Sequence, residues 1–282
     1  MSAFKGGTEK LGDVGPEGTE TTTSEQIQRL APPTIDDSLE VYCPTEEETS
    51  LVDKLSKEEE FKHLAPGKII RFLRARKLKE DKAKAMLRNH ITWFSRVKPL
   101  DLVLTDINRK AVDSAFWRYL GDSSEGCPIL EVRIGLWSPG DYTLEEYENY
   151  IAFFCTMLER QMETHTQYII IVNLAKWTLR HGNYLSYIKA MIDIAQNQLP
   201  DRLRRVMLFK TPFIFRASWG MIKPWLDPIT AEKVEFVRTA KRDEVLRACQ
   251  IDKGLLPERY GGTINEEDEK NLPVPGFTTP MN

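Results

Sequence analysis

The chain has 282 residues, 41% hydrophobic and 29% charged, with a formal net charge of −3. That length and balance suit one or two globular domains with a sizeable core and exclude a collagenous, disulfide-scaffolded or wholly disordered chain. The longest unbroken apolar run, Tyr150–Cys155, is six residues, against the roughly 20 that span a bilayer, and the N-terminus lacks the apolar stretch of a secretory signal.

Residues 1–43, rich in Thr, Glu, Gly, Ser and Pro, have too little apolar surface to offset the entropy of ordering and are expected to form a disordered acidic tail. Residues 1–50 carry 3 basic and 11 acidic side chains and residues 263–282 carry 1 and 4, which leaves 35 basic and 27 acidic, a balance of +8, for residues 51–262. The part expected to fold is therefore basic. Such a bias favours an anionic partner, and a membrane surface or phospholipid headgroup suits it better than nucleic acid.

Residues 44–100 read as a small helical bundle: SLVDKLSKEEEFKHL, GKIIRFLRARK and EDKAKAMLRNHITWFSRV, the last placing Ala83, Met86, Leu87, His90, Ile91, Phe94 and Val97 on one face. Residues 101–265 change character. PILEVRIGLW, YIIIVNL, RRVMLFKTP and KVEFVRT read as buried strands. Between the first two, Leu144, Tyr147, Ile151, Phe154, Leu158 and Met162 recur at helical spacing, and a second helix is expected from about Gly182 to Leu199. Strands alternating with helices predict an α/β domain with a largely parallel or mixed sheet. Residues 266–282 are expected to be a flexible C-terminal tail.

One segment stands out. Placed on a helix at about 100° per residue, Phe213–Leu226 spreads its apolar side chains over an arc of roughly 240°, leaving Arg216 and Lys223 together in the rest. A helix packed on one core shows a stripe nearer ~100°, so this one has a second apolar side to cover, by deep burial or by lipid.

Catalytic patterns are missing. The chain has no G-x-S-x-G elbow, no phosphate loop, no H-E-x-x-H and no dinucleotide fingerprint. Its histidines (His63, His90, His165, His181) stand alone, and Cys43, Cys127, Cys155 and Cys249 are scattered without a C-x-x-C pair. We expect reduced thiols, no metal site and no enzymatic activity.

Three further segments, IIRFLRARKLKEDKAKAML, IKPWLDPITAEKVEF and LLPERYGGT, resemble the CRAL-TRIO lipid-binding family, and within it the phosphatidylinositol transfer branch. The resemblance implies a helical bundle packed on an α/β domain with a mixed sheet, an apolar cavity and a helical gate. Phe213, Phe215, Trp219, Ile222, Trp225 and Leu226 occupy the gate and cavity positions. Arg76 and Lys77 match the family's basic pair, Thr230 and Lys233 match its headgroup hydroxyl and ammonium, and Asp201 stands where the inositol-binding branch has Glu. In the second-lipid pocket, where relatives that take phosphatidylcholine have Tyr and small hydroxyl residues, this chain has Leu130 and Thr178.

The implied function is binding phosphatidylinositol and transferring or presenting it between membranes, with bound phospholipid as the only ligand and no cofactor. A second hydrophobic lipid, whether phospholipid, sterol or other hydrophobe, is the implied companion. A monomer is expected, cytoplasmic and transiently at membranes as a peripheral protein. The rival reading is a lipid-gated interaction module for a lipid kinase or trafficking partner. A lipid-modifying enzyme has no support in the sequence.

Overall fold

The structure, a computed structural model, describes residues 35–162 and 165–265. Residues 1–34 of the tail expected over 1–43, and the tail expected at 266–282, lie outside the described residues.

Thr45 opens α1 (Glu46–Ser56) with a reciprocal cap, its hydroxyl accepting from the Glu48 N–H at 3.2 Å while the Glu48 carboxylate accepts from the Thr45 N–H at 2.9 Å. Pro66 begins α2 (Pro66–Ala75), where its missing N–H has no partner to lose. Then α3 (Glu80–Val97) buries Ala83, Met86, Leu87, His90, Trp93 and Val97. The expected face holds, except that Ile91 and Phe94 are only half-buried. Val52, Leu55, Phe61, Ile69, Phe72 and Leu87 form the bundle core.

The end of the expected tail departs from the reading. Residues Ile35–Asp37 and Glu40–Tyr42 form two short 3-10 turns, and Asp36 and Tyr42 are buried. Gly67 admits them: a Cβ there would sit 2.6 Å from the Tyr42 ring and 2.7 Å from the Asp36 carbonyl. The composition argument fails here because Asp36 does not rely on apolar burial. It accepts hydrogen bonds from Arg71 (2.7 Å), Arg202 (2.7 Å) and the Tyr42 hydroxyl (2.5 Å).

After α4 (Arg109–Ser114), five strands form one mixed sheet in the order β1-β2-β3-β4-β5: β1 (Trp117–Asp122), β2 (Pro128–Arg133), β3 (Tyr168–Asn173), β4 (Leu203–Phe209) and β5 (Val234–Phe236). The first pair is antiparallel and the other three are parallel. β1 is the strand that the periodicity does not reveal, because WRYLGD interrupts its apolar residues with Arg118 and Gly121. Arg118 is nevertheless buried, since Glu131 on β2 accepts its guanidinium at 2.7 Å.

The helices α5 (Leu144–Gln161), α6 (Leu179–Gly182), α7 (Leu185–Asn197), α8 (Phe215–Ile222) and α9 (Pro228–Glu232) fill the crossovers. Alternation along the strands divides two cores. Leu130, Val132 and Leu208 belong with α5, α7 and α8, whereas Ile129, Ile169, Ile171 and Met207 face α10 (Arg242–Ala248) and the closing segment through Tyr260. LPERYGG is structural: Arg259 and the Tyr260 hydroxyl both donate to the buried Glu131 carboxylate, at 2.6 and 2.5 Å. A Cβ on Gly262 would overlap the Leu256 carbonyl at 1.8 Å, so only glycine fits that position.

Candidate functional site

A cavity of about 180 Å³ lies between the sheet and its helical layer. Val132, Ile170, Val172, Val206, Leu208 and Val234 floor it, Tyr147, Ile151 and Cys155 on α5 and Ile188, Ile192 and Ala195 on α7 wall it, and Phe215, Trp219 and Ile222 on α8 close it. Period-2 strands and period-3.6 helices present these residues together because each element turns one apolar face inward. The lining is almost wholly apolar. Gln196 and Thr230 are among the residues that line it.

Those two polar groups are joined. The Gln196 amide donates to the Trp225 carbonyl at 3.0 Å and accepts from the Asp227 N–H at 2.7 Å, which ties α7 to the chain leaving α8. Asp227 then caps α9: one carboxylate oxygen accepts from the Thr230 N–H at 2.9 Å and the other from the Thr230 hydroxyl at 2.7 Å. At the end of that turn, Lys233 donates from Nζ to the Leu203 carbonyl at 2.5 Å.

The segment Pro200–Leu203 carries the next expected residue. Asp201 holds a left-handed backbone (φ 59°), accepts from the Gln167 amide at 3.3 Å, and lies 3.9 Å from Arg74. Arg76 is half-buried at the end of α2 and donates to Asn197 at 3.5 Å, one residue along from Gln196. Lys77 is exposed in a left-handed turn (φ 52°). Thr230, Lys233, Asp201 and Arg76 are thus linked through the end of α7 and the start of β4, while Lys77 points to solvent beside them.

The gate positions divide. Phe215, Trp219, Ile222 and Leu226 line the cavity; Phe213 and Trp225 do not. Phe213 is 81% exposed. The helix is also shorter than the apolar arc suggests, since Pro224, which has no N–H, falls in a 3-10 turn over Lys223–Trp225. Phe215 meets the Trp177 ring edge-on at 5.0 Å, and Trp219 meets Phe236 likewise at 5.3 Å. Neither residue placed in a second-lipid pocket lines this cavity: Leu130 is buried in the core, and Thr178 is exposed, its N–H donating to the His181 ring at 3.0 Å.

Sequence reading missed Gln196, Asp227 and Arg74. Gln196 leaves one trace, a polar residue four positions after Ile192 and eight after Ile188 on the apolar face of α7. Asp227 is legible as a helix cap but not as a partner of the Thr230 hydroxyl. Among the described residues, no cluster of three His, Cys, Asp or Glu could hold a metal, and no helix is long and apolar enough to cross a membrane.

The profile of the CRAL/TRIO domain matches residues 115–262. Phosphatidylinositol transfer protein CSR1 of Eremothecium gossypii is 30% identical over 228 residues, 75% of this chain and 49% of the relative. SEC14 cytosolic factor of the same organism is 26% identical over 71% of this chain and 70% of its own length. An alpha-tocopherol transfer protein-like protein of Mus musculus is 28% identical over 71% and 59%. The chain thus spans about half the length of several curated relatives it matches. The crystal structure of Sfh5 has the same fold, with a TM-score of 0.60 at 15% identity over 80% of this chain and 89% of that one.

Proposed function

Because this chain belongs to the CRAL/TRIO family, a lipid-binding and lipid-transfer family rather than an enzyme family, we propose that it takes phosphatidylinositol into the cavity and transfers or presents it between membranes. The observation that carries this reading is an apolar cavity whose lining includes Thr230, three residues before Lys233 and its ammonium. Acyl chains would lie on the apolar walls, and the phosphate would meet Lys233 and Arg76 through charge-assisted hydrogen bonds.

A lipid with about thirty methylenes loses roughly 24 kcal/mol on entering bare water, at ~0.8 kcal/mol per CH₂. A matching cavity removes most of that barrier. The volume of about 180 Å³ falls below the ~300–1,000 Å³ of ordinary ligand cavities, so a wall must move to admit two chains. α8 is the wall best suited: aromatic contacts and the Gln196 amide hold it, and Pro212, Pro224 and Pro228 bracket it with residues that cannot donate backbone hydrogen bonds.

The outer side of α8, the residues leading into it and the start of α6 supply the membrane contact. Phe213, Leu179 and Met221 are exposed, and residues 174–182 and 210–226 hold Lys176, Arg180, Lys210, Arg216 and Lys223 without one acidic side chain. Exposed apolar groups on segments that carry cations and no acidic side chain match an anionic bilayer surface.

Native mass spectrometry of the purified protein after incubation with vesicles of mixed phospholipids tests the reading. A one-to-one phosphatidylinositol adduct, together with movement of that lipid between two vesicle populations, supports it. Retention of no phosphoinositide from vesicles containing it would overturn it.

A further inference from the structure

Strands β2 to β5 run parallel, so their carboxyl ends, and the chain that follows each, share one edge of the sheet. A row of rings crosses that edge. Trp177, after β3, meets Phe215 of α8 edge-on at 5.0 Å, and Phe236, the last residue of β5, meets Trp219 at 5.3 Å and Phe215 at 6.4 Å. Phe236 shares a strand face with Val234, which lines the cavity, but it lies outside that lining and is 40% exposed. Glu235, on the other face, accepts from Arg205 at 2.5 Å.

The chain leaving β5 is cationic. Residues 236–242 hold Arg238, Lys241 and Arg242 and no acidic side chain. Arg238 and Lys241, at either end of an exposed 3-10 turn, reach into water, whereas Arg242 donates to Asp243 at 3.1 Å. A part-exposed ring followed by two solvated cations can insert at the acyl boundary while the cations meet lipid phosphates. Continuity selects the same occupant: through Phe215 and Trp219 the patch runs on to the outer side of α8, where Arg216 stacks on the exposed Phe213 ring at 4.9 Å.

The two halves of this surface differ in mobility. α8 is the wall that moves to admit lipid, but Phe236 belongs to the sheet: it stands in register opposite Leu208, and the Val237 N–H donates to the Leu208 carbonyl at 3.0 Å. Resting on the membrane contact in the reading above, we propose that Phe236, Arg238 and Lys241 form a second, stationary anchor for an anionic bilayer. A protein docked through α8 alone would loosen its hold whenever that helix shifts. An anchor on β5 keeps the sheet edge on the bilayer while α8 moves.

The full chain, the Arg238→Ala/Lys241→Ala variant, Phe213→Ser and the triple variant are sedimented with vesicles of phosphatidylcholine, alone or mixed with phosphatidylserine. Both alanines replace exposed side chains, and melting temperatures confirm that the fold is kept. The double variant is expected to lower binding to the serine-containing vesicles roughly 10-fold, the effect of two basic groups near an anionic surface, with little change on phosphatidylcholine alone. In the triple variant the losses should multiply, as they do for independent sites. Hydrogen exchange over residues 236–242 should slow when the wild-type chain binds those vesicles.

Undiminished sedimentation of the double variant, or unchanged exchange over 236–242 in bound protein, overturns the anchor and leaves this patch to an acidic protein partner. A wild-type chain that sediments with neither vesicle overturns the anchor together with the membrane contact it extends. Phosphatidylinositol loading, read separately by native mass spectrometry, tests the cargo: its absence beside the expected sedimentation would overturn the phosphatidylinositol reading and leave the anchor standing.

Discussion

Asp36 and Arg202 stand 166 residues apart in the sequence and are directly bonded, Arg202 donating from Nη2 to Asp36 Oδ1 at 2.7 Å with both side chains buried. Arg202 also donates to Glu159 at 2.8 Å and to the Thr166 carbonyl at 3.0 Å, and Arg71 reaches the Pro200 carbonyl at 3.0 Å. The segment that carries Asp201, and whose Leu203 carbonyl holds Lys233, is thus fixed by ionic groups contributed from the chain's beginning, the bundle and α5. Burial opposes ionisation of Asp36, yet Arg71 and Arg202 outweigh it and hold the carboxyl far below the ordinary range.

Asp36→Ala leaves two buried guanidinium groups short of a counter-charge, a change that costs about 3–5 kcal/mol. The melting temperature should fall by on the order of 10 °C, measured by calorimetry near neutral pH. Extending an N-terminal truncation from residue 34 to residue 42 should lower it comparably. Equal melting temperatures for the two truncations would show that the network contributes nothing net.

His90 makes the fold sensitive to acid. Burial, then the neighbouring Lys68 and Arg71 charges, pull its pKa down to about 3, while an unfolded histidine titrates near ~6.5. Below about pH 6.5 the unfolded chain therefore binds a proton that the folded chain refuses, so stability is complete above that pH and declines as pH falls toward 3, at up to ~1.4 kcal/mol per pH unit. His90→Gln, which keeps a polar partner for Gln198, should flatten the melting temperature between pH 6.5 and 4. An unchanged slope in that variant would assign the acid sensitivity elsewhere.

Lys233→Ala should weaken phosphatidylinositol loading by roughly 10- to 100-fold, since hydrogen bonds to charged groups contribute about 1.5–3 kcal/mol and a factor of ten is about 1.4. The lysine also ties β5 to β4 through the Leu203 carbonyl. Thermal unfolding of the same variant separates the two roles: a lipid retained in full by a destabilised protein would make Lys233 structural.

Membrane contact and core packing should separate along α8 and its approach. Phe213→Ser and Leu179→Ser alter side chains that are 81% and 74% exposed, so they should reduce co-sedimentation with anionic vesicles severalfold while leaving the melting temperature within about 1 °C. Phe215→Ser removes a buried ring packed on Trp177 and should lower stability by about 3 kcal/mol or more. Vesicle binding that survives in the Phe213 and Leu179 variants would place the docking surface on another face.

The sequence by itself determined the elements and their inward faces. Apolar periodicity along α3 and α5 and the apolar runs of β2–β4 are local properties written over neighbouring residues, and they dictate an α/β domain behind a helical bundle. Motif resemblance added Arg76, Asp201, Thr230 and Lys233, which the structure links through the end of α7 and the start of β4. Tertiary structure alone decided what depends on distant residues meeting. Asp36 becomes core because Arg71 and Arg202 converge on it; β1 becomes a strand because Glu131 accepts Arg118; Phe213 faces water while Phe215 faces the cavity. The tie between α7 and α9 belongs here as well, made by the Asp227 N–H and a glutamine 31 residues away. Periodicity reports which side of an element is apolar, but a buried charge is stable only beside its partner, and partners contributed from far along the chain leave no local pattern.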